Sequence, residues 1–413
     1  MEGKAQSAQR SGASQALLLL LAIQVPILPI AILGPNLPQL IRHFAGAPNL
    51  QLMVTLVMAL PSLGIVAISP AAGWLADRSG RRPVLLAGLG LCALFGLLPM
   101  ALEGLPALLG CQFLLGVGEG LVMTAANTLL GDYFAQAERE RWLGRQSILG
   151  PFFNAAITLA AGWLGDSHWN WPFAANVVTL GAFLWALVAI FEPARDGAPR
   201  AASGPAAGGS AVAAPAAPAE PFPWRRMAPI YAVTLLSSLV FYIPTLNFGL
   251  LFDALGTSST TRIATLMTIA TASSTLGGWY FSRQKASTGF NLGLTYAAFG
   301  GGLLGMALAT GPLGGLAFAL VINFGIGLIL PLHIAWALRN LPGPARGRGM
   351  GLWMSCFFIM QVGCPFLFAP FAQAAGGLVP AARIVGAAEL ALALLLLAYA
   401  ILRRRPAATA LPN

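Results

Sequence analysis

Charge is what this chain has least of. Its 413 residues include 23 basic and 13 acidic side chains, so charged residues make up only 9%, against roughly 25% in soluble domains. That is too little to coat a soluble protein of this size. Lysine is nearly absent, with Lys4 and Lys285 alone, and the four cysteines, Cys92, Cys111, Cys356 and Cys364, all fall inside apolar stretches. This placement argues against a disulfide framework or a zinc site and makes them small packing residues. No G-x-x-x-x-G-K-[ST] phosphate loop occurs, so direct ATP coupling is not expected, and no cofactor or metal is implied. What remains is apolar: 57% of residues are hydrophobic and the mean hydropathy is +0.76. The chain reads as a polytopic membrane protein with room for roughly twelve helices of about 20 residues.

The net charge of +10 does not indicate nucleic acid as a partner, because the basic residues lie in short runs between apolar stretches rather than along one stripe. Apolar runs bounded by charge, Pro or Gly clusters predict an all-α membrane protein. The first six spans fall at 15–41, 50–76, 83–102, 105–132, 145–165 and 172–192. Six more fall at 228–253, 260–282, 290–310, 313–338, 351–373 and 381–402. The first apolar run is too long for a signal peptide's core and no small-residue cleavage site follows, so it is read as a helix.

Twelve spans put both termini on one side. Every basic residue except Arg42, Arg262 and Arg383 then falls on that side, which the positive-inside rule makes cytoplasmic. The predicted organisation is a tail at 1–14, a six-helix bundle at 15–192, a linker at 193–227, a second bundle at 228–402 and a tail at 403–413. The linker is rich in Ala, Pro and Gly, a composition expected to be flexible. The two halves echo each other: Gly73-Trp74-Leu75-Ala76-Asp77-Arg78 returns as Gly278-Trp279-Tyr280-Phe281-Ser282-Arg283, each at the end of a half's second span. Duplicated bundles joined by a tether suit an alternating-access transporter.

Between spans two and three runs Gly73-Trp74-Leu75-Ala76-Asp77-Arg78-Ser79-Gly80-Arg81-Arg82-Pro83. Physically this is an electrostatic latch. Asp77 ends span two, Asp132 ends span four on the same side, and Arg81 is placed to reach both. Gly73 and Gly80 allow close helix approach and a tight turn. The alternative is that Arg78, Arg81 and Arg82 act only as topogenic charge. The segment resembles the G-x-L-a-D-r-x-G-r-r signature of the major facilitator superfamily. The resemblance implies two six-helix bundles around a central cavity, a small-molecule substrate, a monomer, and a multi-pass place in the bacterial inner membrane. Gly150-Pro151 in span five is similar to the start of the pattern found in drug exporters that work by antiport, although Asn154-Ala155 replace its second glycine pair. Trp169-Asn170-Trp171-Pro172-Phe173 resembles the aromatic segment opening span six in those exporters. In span four Gln112 stands where family members often carry an arginine four residues before Gly116.

Glu119 lies near the middle of span four, where an ionised carboxylate costs about 2.5–3.5 kcal/mol on the insertion scale. It is therefore suited to loading and releasing a proton as a cavity alternates between dry and wet. Gln112, Gly116, Met123 and Asn127 share its helical face; the alternative is a protonated packing residue. Further candidates to line the cavity are Gln24, Asn36, Asn154, Tyr242, Asn247, Asn323, Trp353 and Gln361. Glu389 in span twelve is expected to face lipid, as that span does in the resembling fold, with Arg383 as a surface partner. Asp253 is read as a gate or cap and His333 as an interfacial hydrogen-bonder. Gly116-x-Gly118-x-Gly120 sits inside an apolar span and is read as helix packing rather than a dinucleotide loop.

No Lys or Arg is expected at midplane depth, which disfavours small anions, while a central carboxylate favours neutral or cationic amphipathic solutes that stack on aromatic rings. The reading is proton-coupled export, with protons as coupling ion. The alternative is an uptake symporter or facilitator for a metabolite or siderophore-like compound. A membrane enzyme is disfavoured, since no paired aspartates, Ser–His pair or His-rich cluster falls at membrane depth.

Overall fold

The computed structural model describes residues 12–193, 222–284, 286–342 and 345–402, and among these every regular element is helical. The linker expected at 193–227 falls almost wholly outside the described residues, as do most of both tails and the basic residues Lys4, Arg10, Arg195, Arg200, Lys285 and Arg403 to Arg405.

The first half comprises α1 (Ala13–His43), α2 (Leu50–Ser79), α3 (Arg81–Ala101), α4 (Leu105–Tyr133), α5 (Gln136–Ser167) and α6 (Trp171–Ala189). The second comprises α7 (Trp224–Ala254), α8 (Thr260–Arg283), α9 (Thr288–Leu308), α10 (Pro312–Asn340), α11 (Arg346–Ala374) and α12 (Leu378–Leu402). Among the described residues eleven helices are long and apolar enough to cross a membrane; α8 falls short in hydropathy. Its composition explains this. Thr265, Thr271 and Ser274 donate their hydroxyls to the backbone carbonyls of Thr261, Met267 and Thr271 at 2.8 Å each, so polar side chains are satisfied by their own helix.

Span one is not the continuous helix expected from its apolar run. Pro26, Pro29, Pro35 and Pro38 each sit in the first turn of a new short segment, with 3-10 turns at Val25–Ile27 and Gly34–Asn36. Proline lacks the amide that would continue the ladder, so the helix restarts at each one. Single prolines inside α5 and α10, and two each inside α2, α7 and α11, leave those helices unbroken.

Within the first half α2 and α3 pack on α4, and α3 also packs on α6; α8 and α9 pack on α10, and α9 on α12, in the second. The Gly116, Gly118 and Gly120 triplet does serve packing. A Cβ at Gly118 would lie 2.8 Å from Cys92 Sγ, and one at Gly116 would overlap the Pro61 carbonyl of α2. The halves meet through α2 with α11, α5 with α8, and α1 with α7.

Candidate functional site: a gated space between two helical halves

At the face remote from the chain termini the halves are clasped by polar contacts. Arg42, ending α1, donates from Nη1 to Asp253 Oδ1 of α7 at 2.9 Å. Asp166, near the end of α5, caps the start of α8. It accepts from the Thr260 amide at 2.7 Å, the Ser259 hydroxyl at 2.8 Å, the Thr260 hydroxyl at 2.9 Å and the Thr261 amide at 3.3 Å. A carboxylate at a helix N-terminus satisfies amides that have no partner inside the helix. Gly249 of α7 lies so close to Gly34 of α1 that a Cβ would overlap the Gly34 carbonyl oxygen. Toward the face bearing the termini the halves part. Ser69, Pro70 and Ala71 of α2 are consecutive and all exposed, whereas Val54, Val57 and Met58, nearer the clasped face, are buried.

The motif between α2 and α3 forms a charge cluster on the terminal face. Arg81 Nε lies 3.0 Å from Asp132 Oδ2, with both side chains largely buried. Gly80 takes φ +99°, a backbone open to glycine at little cost, and a Cβ there would sit 3.0 Å from the Glu192 carboxylate. Glu192 accepts from the amides of Arg81 and Arg82 at 2.9 and 2.8 Å, so the segment just after α6 caps the start of α3. Tyr133 donates to the Phe191 carbonyl and accepts from its amide, tying the end of α4 to the same corner. Asp77 is exposed, and Arg78 lies over the Trp74 ring at 5.2 Å. Gly73 does not provide the close approach expected of it, since a Cβ there would meet nothing within 4 Å.

Glu119 is fully enclosed in the first half, and neither carboxylate oxygen has a hydrogen-bond partner among the described residues. Cys92 of α3 is close by. Gln112, two turns away on the same face, is also buried, and its Oε1 has no hydrogen-bond partner among the described residues. Asn127 donates to the Met123 carbonyl at 2.8 Å, and both are half-buried.

The remaining candidates divide by location. Gln24 and Gln146 approach each other across α1 and α5 at 3.5 Å. Asn36 donates to Ile32 and, across to α5, to Ala161, at 2.6 and 3.2 Å, and so belongs to the closed end. Asn154 keeps a buried Oδ1 with no hydrogen-bond partner among the described residues. Asn247 and Asn323 each donate to the carbonyl four residues back, at 2.7 and 2.9 Å. Gln361 donates to the Met58 carbonyl at 3.4 Å, crossing between α11 and α2. Tyr242 and Trp353 are brought together by a residue the sequence reading missed. Phe357 has its ring 5.4 Å from Tyr242, 5.7 Å from Trp353 and 5.3 Å from Phe241. The signal was present, since Trp353 and Phe357 are one turn apart on α11. Asp166 and Glu192 were also missed; each is an acidic residue at a helix end, a position whose partner lies far off in sequence.

Glu389 requires a correction. It does not face lipid: it is 6% exposed, its Cβ packs where Gly300 of α9 leaves room, and both oxygens lack hydrogen-bond partners among the described residues. Arg383 is not its partner, as its Nε donates to the Ala307 carbonyl at 3.1 Å. Glycine on α9 lets α12 come close enough to bury the carboxyl, which a helix-level rule about span twelve does not capture. His333 is likewise buried inside α10 rather than interfacial, its Nδ1 2.8 Å from the Ile329 carbonyl.

Comparison with known proteins agrees with this geometry. The family model described as Major Facilitator Superfamily matches residues 19–365. The chain is 29% identical over 163 residues to the multidrug transporter protein MdtP of Bacillus subtilis (strain 168), covering 38% of this chain and 29% of that one. It is 31% identical over 159 residues to the multidrug resistance protein MdtG of Rahnella sp. (strain Y9602), covering 35% and 38%. It is 29% identical over 181 residues to the class G tetracycline resistance protein of Vibrio anguillarum, covering 43% and 45%. The matches thus span less than half the length of these relatives. Among solved structures, an auto-inhibited POT family peptide transporter superposes with TM-score 0.69 at 12% identity, covering 97% of this chain and 99% of that one. A D-xylose-proton symporter gives 0.67 at 13%, covering 93% and 96%. These likenesses establish the fold. A helical membrane protein whose two halves close at one face and part at the other, matched by the family model over most of its length, belongs to the Major Facilitator Superfamily.

Proposed function

We propose that this transporter exports neutral or cationic amphipathic small molecules in exchange for protons, by alternating access across a bacterial inner membrane. In this reading α8 is the twelfth span, both termini are cytoplasmic, and the bundles at 15–192 and 228–402 rock about the solute pathway as a monomer, tethered by the linker at 193–227. The observation that carries the reading is Glu119, enclosed at mid-span with neither oxygen paired among the described residues. Burying a bare carboxylate without a counter-charge is costly, so the enclosed state is the proton-bearing one. Wetting that site in the alternate state releases the proton. The clasp of Arg42 with Asp253 and of Asp166 with α8 keeps the outer side shut while the cytoplasmic side is open. The charge cluster of Arg81 with Asp132 secures the cytoplasmic corner of the first half. The relatives named for multidrug and tetracycline resistance support a substrate of this class, and the Tyr242, Trp353 and Phe357 rings offer aromatic surface to it.

The test is uptake into inverted membrane vesicles with an imposed pH gradient, using a panel of cationic and neutral amphiphiles. Glu119→Gln is expected to abolish gradient-driven accumulation while leaving downhill exchange. Gradient-driven transport at wild-type rate in that variant would refute the assignment. A second reading, uptake symport or facilitation of a metabolite, is favoured by Asn154-Ala155 standing in place of the second glycine pair of the exporter pattern. It predicts accumulation in the opposite direction in right-side-out vesicles.

A further inference from the structure

An apolar groove of about 400 Å³ opens between α1, α5 and α6 in the half of the membrane nearest the termini. Leu17 and Leu21 of α1, Leu149 and Phe152 of α5 and Trp185 of α6 line it, and Gln24 with Gln146 close its deep end. Helices α5 and α6 pack mainly at the opposite end, through the Trp171–Asn176 turn, and diverge toward the termini with α1 as the floor between them. The groove faces outward, since Leu149 is 49% and Phe152 73% exposed. From Leu17 to Gln24 it runs about 10 Å along the membrane normal, at 1.5 Å per residue. That shape suits an aliphatic chain lying along the helices.

Beyond the lining residues, the start of α5 nearest the termini is basic. Arg145 precedes Gln146 and lies one turn before Leu149 on the same face of α5, and Arg141 lies one turn further out. The Arg145 guanidinium is held over the Trp142 ring at 4.3 Å, and Trp142 is itself buried, so the charge is held one turn from Leu149 on the terminal side of the groove. Among the described residues no carboxylate pairs with either arginine: the ion pairs are Arg42 with Asp253 and Arg81 with Asp132. Glu192, the acidic residue just after α6, is committed to the amides of Arg81 and Arg82. Two guanidiniums without a carboxylate partner among the described residues, on the terminal side of an acyl-sized groove, match a phosphodiester with its chain below, because Arg binds phosphate in a bidentate fork and basic pockets between spans hold anionic headgroups.

We propose that this groove is a binding site for an anionic phospholipid of the leaflet next to the termini, with its phosphate on Arg145 and Arg141 and one acyl chain between α1, α5 and α6. It rests on the reading above only for calling that leaflet cytoplasmic. The test measures thermal unfolding of the full-length protein in detergent titrated with phosphatidylglycerol or with phosphatidylcholine of the same acyl chains. Phosphatidylglycerol is expected to raise the unfolding temperature at lower concentration than phosphatidylcholine. Arg145→Gln should weaken its apparent affinity about fivefold, and the double change with Arg141→Gln should weaken it further, since each arginine near a membrane surface contributes ~1 kcal/mol. Leu21→Trp, which fills the groove, should remove the stabilisation by both lipids. Equal stabilisation by the two lipids in the wild type, or an unchanged preference in the double variant, would overturn the site. So would displacement of the effect by a neutral fluorescent amphiphile in both lipids alike, which would make the groove a solute path. Gradient-driven transport measured on the same variants keeps this outcome separate from that of Glu119→Gln.

Discussion

The turn between α2 and α3 and its repeat between α8 and α9 start from one pattern and reach different ends. Both keep a Trp–Arg stack one turn before the bend, Trp74 with Arg78 at 5.2 Å and Trp279 with Arg283 at 4.4 Å. Beyond that they diverge. In the first half the start of α3 is capped by Glu192 from just after α6, Arg81 pairs with Asp132 of α4, and Gly80 supplies the left-handed bend. In the second, Ser282 replaces the aspartate, and α9 is capped by its own Ser287, whose hydroxyl accepts from the Phe290 amide at 3.3 Å. The second turn is locally self-sufficient. The first depends on three helices at once, so it is the one able to sense how those helices move.

The largest break in that comparison should come from Arg81→Ala. It removes the guanidinium that lies 3.0 Å from the largely buried Asp132 carboxylate, and removing one partner of a buried pair costs about 3–5 kcal/mol. Thermal unfolding should show a marked fall, and Asp132→Asn added to it should cost little more; additive losses would mean that the two residues act separately. Gly80→Ala comes next. It forces a side chain into φ +99° and against the Glu192 carboxylate at 3.0 Å, for about 1–3 kcal/mol. Combining it with Glu192→Ala relieves the contact but not the backbone strain, so only part of the loss should return. Smallest is Ser287→Ala in the second half, which removes one local cap for about 1 kcal/mol. If that variant lowered stability as much as Gly80→Ala, the contrast between a shared and a self-contained turn would fail.

The glycine triplet of α4 and the outline of most helices were legible because apolar runs and small-residue spacing are local properties. The latch was half legible: the sequence places Arg81 and Asp132 at the same membrane face, but Glu192 is 111 residues from Arg81 and no spacing rule joins them. Span one was misjudged in its continuity although its four prolines were visible, because hydropathy averages over breaks. Glu389 was misjudged because helix exposure is set by the neighbour, and the room for its carboxyl comes from Gly300 on another helix.

Composition and hydropathy alone determined that this chain lives in a bilayer as a bundle of helices. Hydrocarbon leaves backbone amides no partner but their own segment, and 9% charge leaves no other solvent. The motif after the second helix was enough to suggest the family. Which face is clasped and which carboxyls are enclosed was decided only in three dimensions. So was where a groove meets the arginines of α5. Each of these depends on contacts between helices far apart in the chain, whose rotation about their own axes is fixed by packing and not by any local pattern.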